Sequence, residues 1–339
     1  MKSFGSDNHS GIHPKILESL TAASQGHAPS YGTDEVTKNV IKKFQQAFDA
    51  DIDVHFVFNG TAANVLALRP FVESHNSIIC HSGAHLNIDE CGAPEKHLGT
   101  KLIPLDGPDG KLRIEDIERA LVRGGDQHYS QPKVLSLTQP TEVGTLYSVD
   151  ELRSLIDFAH SKGLFVHIDG ARFAVACAKL NCSFADLTTK LGVDSLSFGG
   201  TKNGLLYGEA VICFNKTYSK QMRYYRKQFM QLPSKMRFLS AQFEAYLNED
   251  LWRKIALHEI EMAQYLHQHV KDIPQVEVLY PVQANSVFAK LPKEWIKPLR
   301  EHSFFYVWDE NEWSVRWMCS YDSNRTDVDS FVAAIKALQ

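Results

Sequence analysis

No apolar run in the 339-residue sequence approaches the ~20 residues that a membrane-crossing helix needs, and the opening Met-Lys-Ser-Phe-Gly-Ser-Asp has none of the apolar character of a secretory leader. Neither a membrane span nor export is therefore expected, and a cytoplasmic location is. The six cysteines (Cys80, Cys91, Cys177, Cys182, Cys213 and Cys319) are scattered, with no CxxC spacing. That argues against a disulfide framework and a zinc site, so free thiols are expected. No GxGxxG follows an early strand, which argues against a nicotinamide-binding domain. Internal repeats and low-complexity tracts are lacking too. Positive charge is short as well: the formal net charge of −4 disfavours nucleic acid as a partner of the whole chain. Locally, Lys216, Lys220, Arg223, Arg226 and Lys227 are interleaved with aromatics. Their three- and four-residue spacing predicts one amphipathic helix with a basic face rather than an RNA-binding strip.

What is present is an ordinary globular composition, 44% hydrophobic and 22% charged, in a chain long enough for two domains. A helix opened by Pro14 and another over Asp34 to Phe48 precede a series in which strands alternate with helices. Strands are expected at Val54 to Phe58, Ser77 to Cys80, Lys101 to Leu105, Lys133 to Thr138, Leu164 to Ile168, Ser195 to Phe198 and Ala210 to Phe214. Alternation of this kind predicts an α/β fold with a doubly wound, mainly parallel sheet. After a long helix over Ser234 to Ala256 the order changes to strands on short links flanked by helices. The expected division is an N-terminal arm and large domain over 1–240 and a small α+β domain over 241–339.

The chemistry concentrates between residues 164 and 203. Leu164 to Ile168 reads as a buried strand, which places Asp169 at its carboxyl end, the edge where open α/β sheets bind ligands. Arg172 follows at once. Lys202 comes after the strand at 195 and two glycines. Partial desolvation of a lysine frees a neutral amine for Schiff-base formation. An acid to keep a pyridinium protonated and a lysine to take an aldehyde are what pyridoxal phosphate requires of a protein. Singly, a strand-end acid is more often a helix cap and a lysine a surface charge; the combination carries the reading. His167 with Asp169 could instead ligate a metal, but no third ligand stands nearby.

Three further places fit. Asn59-Gly60-Thr61 lies between a strand and an Ala/Leu-rich helix that Thr61 is expected to cap, a geometry suited to phosphate. His85 could lie flat on an aromatic ring. Arg316 interrupts an apolar strand, either as a snorkelling edge residue or as a fork for a carboxylate.

Taken together, Ser6-Asp7, Tyr31-Gly32, Phe58-Asn59-Gly60-Thr61, Ala84-His85, Glu90, Val166-His167-Ile168-Asp169-Gly170-Ala171-Arg172, Ser197-Phe198-Gly199-Gly200-Thr201-Lys202-Asn203, Lys235-Met236-Arg237-Phe238 and Val315-Arg316 resemble the threonine aldolase and β-eliminating lyase group of fold type I pyridoxal-phosphate enzymes. The resemblance covers nearly the whole chain. It implies an aspartate aminotransferase-like large domain and cleavage of L-threonine, L-allo-threonine or related β-hydroxy-α-amino acids, phenylserine among the candidates, to glycine and an aldehyde. β-Elimination, transamination and non-catalytic binding of the cofactor are the alternatives. By position, it implies that Lys202 carries the cofactor as a Schiff base and Asp169 pairs with the ring nitrogen. Gly60, Thr61 and the Ala62 amide would bind phosphate, and His85 would stack on the ring. Arg172, Thr201 and Arg237 would complete the cofactor's surroundings. Ser6, Arg172 and Arg316 would hold the substrate carboxylate. Tyr31 and Arg237 would come from a neighbouring subunit, in a homodimer or homotetramer with shared sites. Many relatives carry Asn-Thr-His-Asn where this chain reads Thr138-Gln139-Pro140-Thr141-Glu142, so the base for the substrate hydroxyl is left to His85, Glu142 or an ordered water.

Overall fold

The computed structural model describes residues 2–339. Seven strands, β1 (Asp53–Val57), β2 (Asn76–His81), β3 (Lys101–Leu105), β4 (Gln131–Thr138), β5 (Phe165–Gly170), β6 (Ser195–Phe198) and β7 (Glu209–Cys213), form one sheet in the order β1-β7-β6-β5-β4-β2-β3. From β3 to β6 every pair is parallel; β7 runs antiparallel to both β6 and β1. Burial explains the composition. Every residue of β6 and β7 is buried, whereas the edge strand β3 leaves Lys101 and Pro104 exposed. An edge is where a strand tolerates proline, since no ladder donor is lost there.

Helices cover both faces: α1 (Pro14–Ala23), α2 (Glu35–Ala47) and α3 (Gly60–Leu68), then further helices including Val149–Ser161 and Phe173–Lys179. The α2 start is fixed by Asp34, whose side chain accepts from the Thr37 amide at 2.8 Å and the Thr37 hydroxyl at 2.9 Å. Val40, Phe44 and the following Phe48 then point inward, and Phe44 packs against Phe56, Phe198 and Phe243. Each such ring, wholly removed from water, contributes on the order of 1.5–3 kcal/mol.

A second sheet, of β8 (Glu277–Val278), β9 (Ser286–Lys290), β10 (Tyr306–Asp309) and β11 (Ser314–Met318), is antiparallel in the order β10-β11-β9-β8. Its core gathers Val287, Trp317 and Phe331, and Phe4 of the N-terminal arm enters it. The Phe4 amide donates to Phe304 O, and its carbonyl accepts from the Met318 amide, each at 2.8 Å. Further along the arm the His13 amide donates to Gly204 O at 2.9 Å, so the arm touches both parts of the molecule. The helix Leu251–Val270 also serves both cores, with Ile255 and Ile260 in the first and Met262 and Leu266 in the second.

Two expected helices differ from the observed ones. The stretch 234–256 is broken at Asn248–Asp250, where Glu249 and Asp250 adopt left-handed φ of 50° and 53° between the helices Met236–Leu247 and Leu251–Val270. Both residues are exposed and neither is β-branched, and aspartate is among the residues that enter that conformation most readily, so the hydrophobic period continued across a real corner. The basic stretch is two short helices, Lys216–Ser219 and Met222–Gln228. Its charges share no face, because Arg226 turns inward toward Phe56 O (3.4 Å) while Lys216 pairs outward with Asp51. Among the described residues no helix is long and apolar enough to cross a membrane, and all six cysteines are free.

Candidate active site

Parallel register brings Asp169 level with Thr138 and Ser197 at the carboxyl edge of the first sheet. The chain there is held too close for side chains. A Cβ on Gly199 would lie 2.0 Å from Ala171 O, and one on Gly200 would lie 2.4 Å from Gly208 O. These glycines let the 199–204 segment close over the strand ends, where the 3-10 turn Thr201–Asn203 presents Lys202. Thr201 Oγ1 accepts from the Gly208 amide at 2.9 Å, and Glu209 Oε2 accepts from the Gly200 amide at 2.6 Å. Burial pushes the Glu209 carboxyl up to about 7, against the opposing pull of the Gly200 amide, Thr201 and Lys202.

Lys202 opens into a cleft of about 610 Å³ that also receives Ser6, His85, Glu142, Arg172 and Arg316. One wall is aromatic, with Tyr306 and Trp308 from β10. Arg316 lies on β11, an interior strand of the second sheet, so it is not a snorkelling edge residue. Its guanidinium sits 5.0 Å from the Trp308 ring centre, a cation–π contact, and its Nη2 donates to Gly5 O at 3.1 Å. Arg316 Nε is buried without a partner. Burial, and the second cation Arg172 nearby, lower its pKa from the ordinary guanidinium value. Two half-buried guanidiniums in one cleft repel, and an anion between them relieves the repulsion.

Arg172 is not a free fork. Its Nε donates to Asp7 Oδ2 at 2.5 Å and its Nη2 to Asp7 Oδ1 at 3.0 Å, with Met318 Sδ at 3.1 Å from Nη2. Only Nη1 lacks a protein partner among the described residues. Asn285 Nδ2 adds a bond to Asp7 Oδ2 at 3.2 Å. Ser6 accepts from the Asn8 amide at 3.2 Å and thereby caps the short turn that holds Asp7.

Asp169 is tied to His85 through two intermediates. Asn64 Nδ2 donates to Asp169 Oδ2 at 2.9 Å and to Glu90 Oε1 at 2.7 Å; His85 Nδ1 meets the same Glu90 oxygen at 2.9 Å. This bond to Glu90 raises the His85 pKa above 6.5. Burial and Lys202 oppose the rise, while Glu142 and Asp169 support it.

The expected phosphate turn is present with one correction: Asn59, not Thr61, caps α3, and its Oδ1 accepts from the Ala62 amide at 2.9 Å. An asparagine and a threonine two positions apart are both competent caps, and the one with extended backbone takes the position. The Ala62 amide is thus engaged, which leaves the first-turn amides of Gly60 and Thr61 open, as helix geometry requires. A Cβ on Gly60 would meet nothing within 4 Å, so the approach is clear. Asn64 lies one turn further along α3, about 6 Å of rise, which links this turn to Asp169.

Tyr31 and Arg237 do not line the cleft of their own chain. The Tyr31 amide donates to Ser234 O at 2.9 Å, and Arg237 Nη1 donates to Gly26 O at 3.1 Å, so their two segments lie together, with Tyr31 exposed and Arg237 half-buried. His167 is no ligand. It is buried between Ser136 Oγ (2.9 Å) and Ser197 Oγ (3.0 Å), and burial lowers its pKa to about 4. No group of three or more His, Cys, Asp or Glu suited to a metal occurs among the described residues.

Asn64, Glu209, the Asp7 pairing and the Tyr306/Trp308 wall carry no role in the sequence reading. Asn64 left a signal, a lone amide in the apolar run Ala-Ala-Asn-Val-Leu-Ala-Leu; the others left none.

The sequence matches the profile of the beta-eliminating lyase family over residues 3–293. It is 42% identical over 336 residues to the low specificity L-threonine aldolase of Pseudomonas sp. (strain NCIMB 10558), covering 99% of this chain and 97% of that one. With the low specificity L-threonine aldolase of Pseudomonas aeruginosa it shares 44% identity over 322 residues, 95% of this chain and 93% of the relative. The structure is similar to that of Leishmania major threonine aldolase, with a TM-score of 0.95 at 29% identity, covering 100% of this chain and 99% of the other. Lysine and aspartate at the edge of the first sheet, facing an arginine from the second, therefore sit on the fold type I scaffold, and the chain belongs to the beta-eliminating lyase family.

Proposed function

We propose that the protein is a pyridoxal 5'-phosphate-dependent carbon–carbon lyase that cleaves L-threonine, L-allo-threonine or a related β-hydroxy-α-amino acid to glycine and an aldehyde. The observation that carries this reading is the convergence of the Lys202 amine, His85 and the Arg172/Arg316 pair in one cleft, with Asp169 joined to His85 behind it. The residues fit the cofactor. A buried acid, an amine, an open helix-start cradle at Gly60 and Thr61 and a flat imidazole match its ring nitrogen, aldehyde, phosphate and ring face. When bound, pyridoxal phosphate supplies an electron sink for the pair left on Cα as the carbon–carbon bond breaks.

The chain's own residues do the rest. Lys202, beside Thr201, would hold the cofactor through its aldehyde, and Asp169 would keep a proton on the ring nitrogen. Arg316 and Arg172 Nη1, with Ser6, would hold the substrate carboxylate and so fix the orientation of the substrate's Cα in the cleft. His85 and Glu142 are the cleft side chains able to take the hydroxyl proton, directly or through water. The Tyr306/Trp308 wall favours substrates that carry an aryl group, phenylserine included.

Incubation of the loaded enzyme with L-threonine, L-allo-threonine and L-phenylserine should release glycine and aldehyde in equal amounts. Ammonia with a keto acid, and no glycine, would replace this reading by β-elimination or transamination.

The exposed Tyr31, the half-buried Arg237, and the exposed apolar Leu206, Tyr207 and Met230 support a homodimer or homotetramer with sites completed across subunits, and the sequence's lack of a leader or membrane span favours the cytoplasm. Subunit mixing tests this. Lys202→Ala and Arg237→Ala proteins, each impaired alone, should regain on random reassociation about a quarter of wild-type activity, because half the dimers are mixed and each of these carries one intact site. No recovery, despite proven exchange, would place Arg237 outside the shared site.

A further inference from the structure

The bond network behind His85 is more closely specified than stacking on a ring requires. Glu90 has no side-chain surface exposed, and its Oε1 accepts from both His85 Nδ1 (2.9 Å) and Asn64 Nδ2 (2.7 Å). Asn64 turns its amino group to two carboxylates at once, Glu90 and Asp169; the reverse orientation would set its carbonyl against both. Glu90 Oε2 and Asn64 Oδ1 are buried without protein partners. An ionised carboxylate so enclosed needs a proton-bearing neighbour, and the His85 ring is one.

We propose that Glu90 is a positioning residue, which with Asn64 fixes His85 as the Nδ1–H tautomer, leaves Nε2 as the nitrogen able to exchange a proton in the cleft, and couples that ring to Asp169. The inference rests on the reading of His85 and Asp169 as parts of the cofactor site. Nδ1 is engaged by Glu90, and Nε2 has no hydrogen-bond partner among the described residues. The charged groups that act on the ring are Glu90 on its own segment, Glu142 from the loop after β4, Asp169 from β5 and Lys202 from the 199–204 segment. Three of the four are acids, so the ring keeps its second proton to a higher pH than a free histidine. Nε2 is then a donor below that pH and an acceptor above it.

Titration of His85 by NMR in the cofactor-free protein tests the network without any turnover, with His85→Asn to assign the signal. The wild-type midpoint should lie above 6.5. In Glu90→Gln it should fall by about one unit or more, the shift expected when a contacting opposite charge is removed. Asp169→Asn, which leaves the Glu90 contact intact, should lower it by a smaller amount and serves if Glu90→Gln does not fold. In the loaded enzyme, the acidic limb of the kcat/KM profile should move to lower pH in Glu90→Gln, in step with the titration. An unchanged His85 midpoint in the folded variants would overturn the assignment even if glycine release proved the aldolase reading correct. A shifted midpoint without glycine release would keep the network and remove the aldolase.

Discussion

Lys202→Ala is expected to lower turnover by more than about 10⁴-fold, roughly 5.4 kcal/mol of barrier, while leaving the fold intact. Two observations separate these effects. Lys202 takes part in no hydrogen bond or ion pair among the described residues, so its removal breaks no structural contact. It is also the one lysine that lines the cleft. An alanine leaves no amine there to hold the cofactor covalently, and loss of that nucleophile is not made up by the arginines, which stay protonated. The Glu209 carboxyl, held down in part by the Lys202 charge, should bind its proton more tightly in the variant. Circular dichroism and the thermal midpoint should match wild type. Borohydride reduction of the loaded wild type should fix the cofactor's mass on the peptide containing Lys202, and the same treatment of Lys202→Ala should fix none. Multiple turnovers by the alanine variant, or a reduced adduct on another lysine, would refute the assignment.

How far the sequence discloses this site depends on how local each part is. Asp169 and Lys202 each sit in a short, apolar, glycine-bounded run whose placement at a sheet edge follows from the run itself. The register of β5 and β6 sets Asp169 at that edge, and the turn Thr201–Asn203, three residues beyond β6, carries Lys202. Arg316 was visible because a charge interrupts an apolar strand; its choice between solvent and cleft depended on β11 having neighbours on both sides, which only the second sheet supplies. Asn59 and Thr61 compete for one cap, and backbone angles rather than residue type decide between them. The break at Asn248–Asp250 escaped because hydrophobic periodicity resumes in phase on its far side. Pairings between distant segments left no trace at all: Asp7 and Arg172 lie 165 positions apart, and nothing near Ser6 announces that its neighbour closes the arginine fork.

That pairing carries the second large effect. Asp7→Asn should cost about 3–5 kcal/mol of folding stability, the range for breaking one half of a buried ion pair, because it strands the Arg172 guanidinium beside an amide. Asp7 has no exposed side-chain surface, and the Arg172 side chain retains 15%. Burial alone would raise the Asp7 pKa, but Arg172, by charge and by hydrogen bonding, with smaller help from Lys202 and Asn285, holds it below the ordinary 3.8. A carboxyl with a lowered folded-state pKa binds fewer protons folded than unfolded, so its contribution is complete above the unfolded value and fades as pH falls through the folded one. The gap between wild type and Asp7→Asn should therefore be constant from neutral pH down to about 5 and should close below 3.8. The cofactor-free proteins should be compared by thermal midpoint across that range. Arg172→Met in the Asp7→Asn background should recover part of the loss, since an apolar replacement leaves no stranded charge. The two effects on catalysis are then separable: Asp7→Asn should raise KM by releasing Arg172 Nη1 from its fixed direction, whereas the double variant should raise it further by removing the cation. Equal midpoints for wild type and Asp7→Asn at neutral pH would mean that Arg172 is held by its surroundings and that the Asp7 contact is incidental to the site.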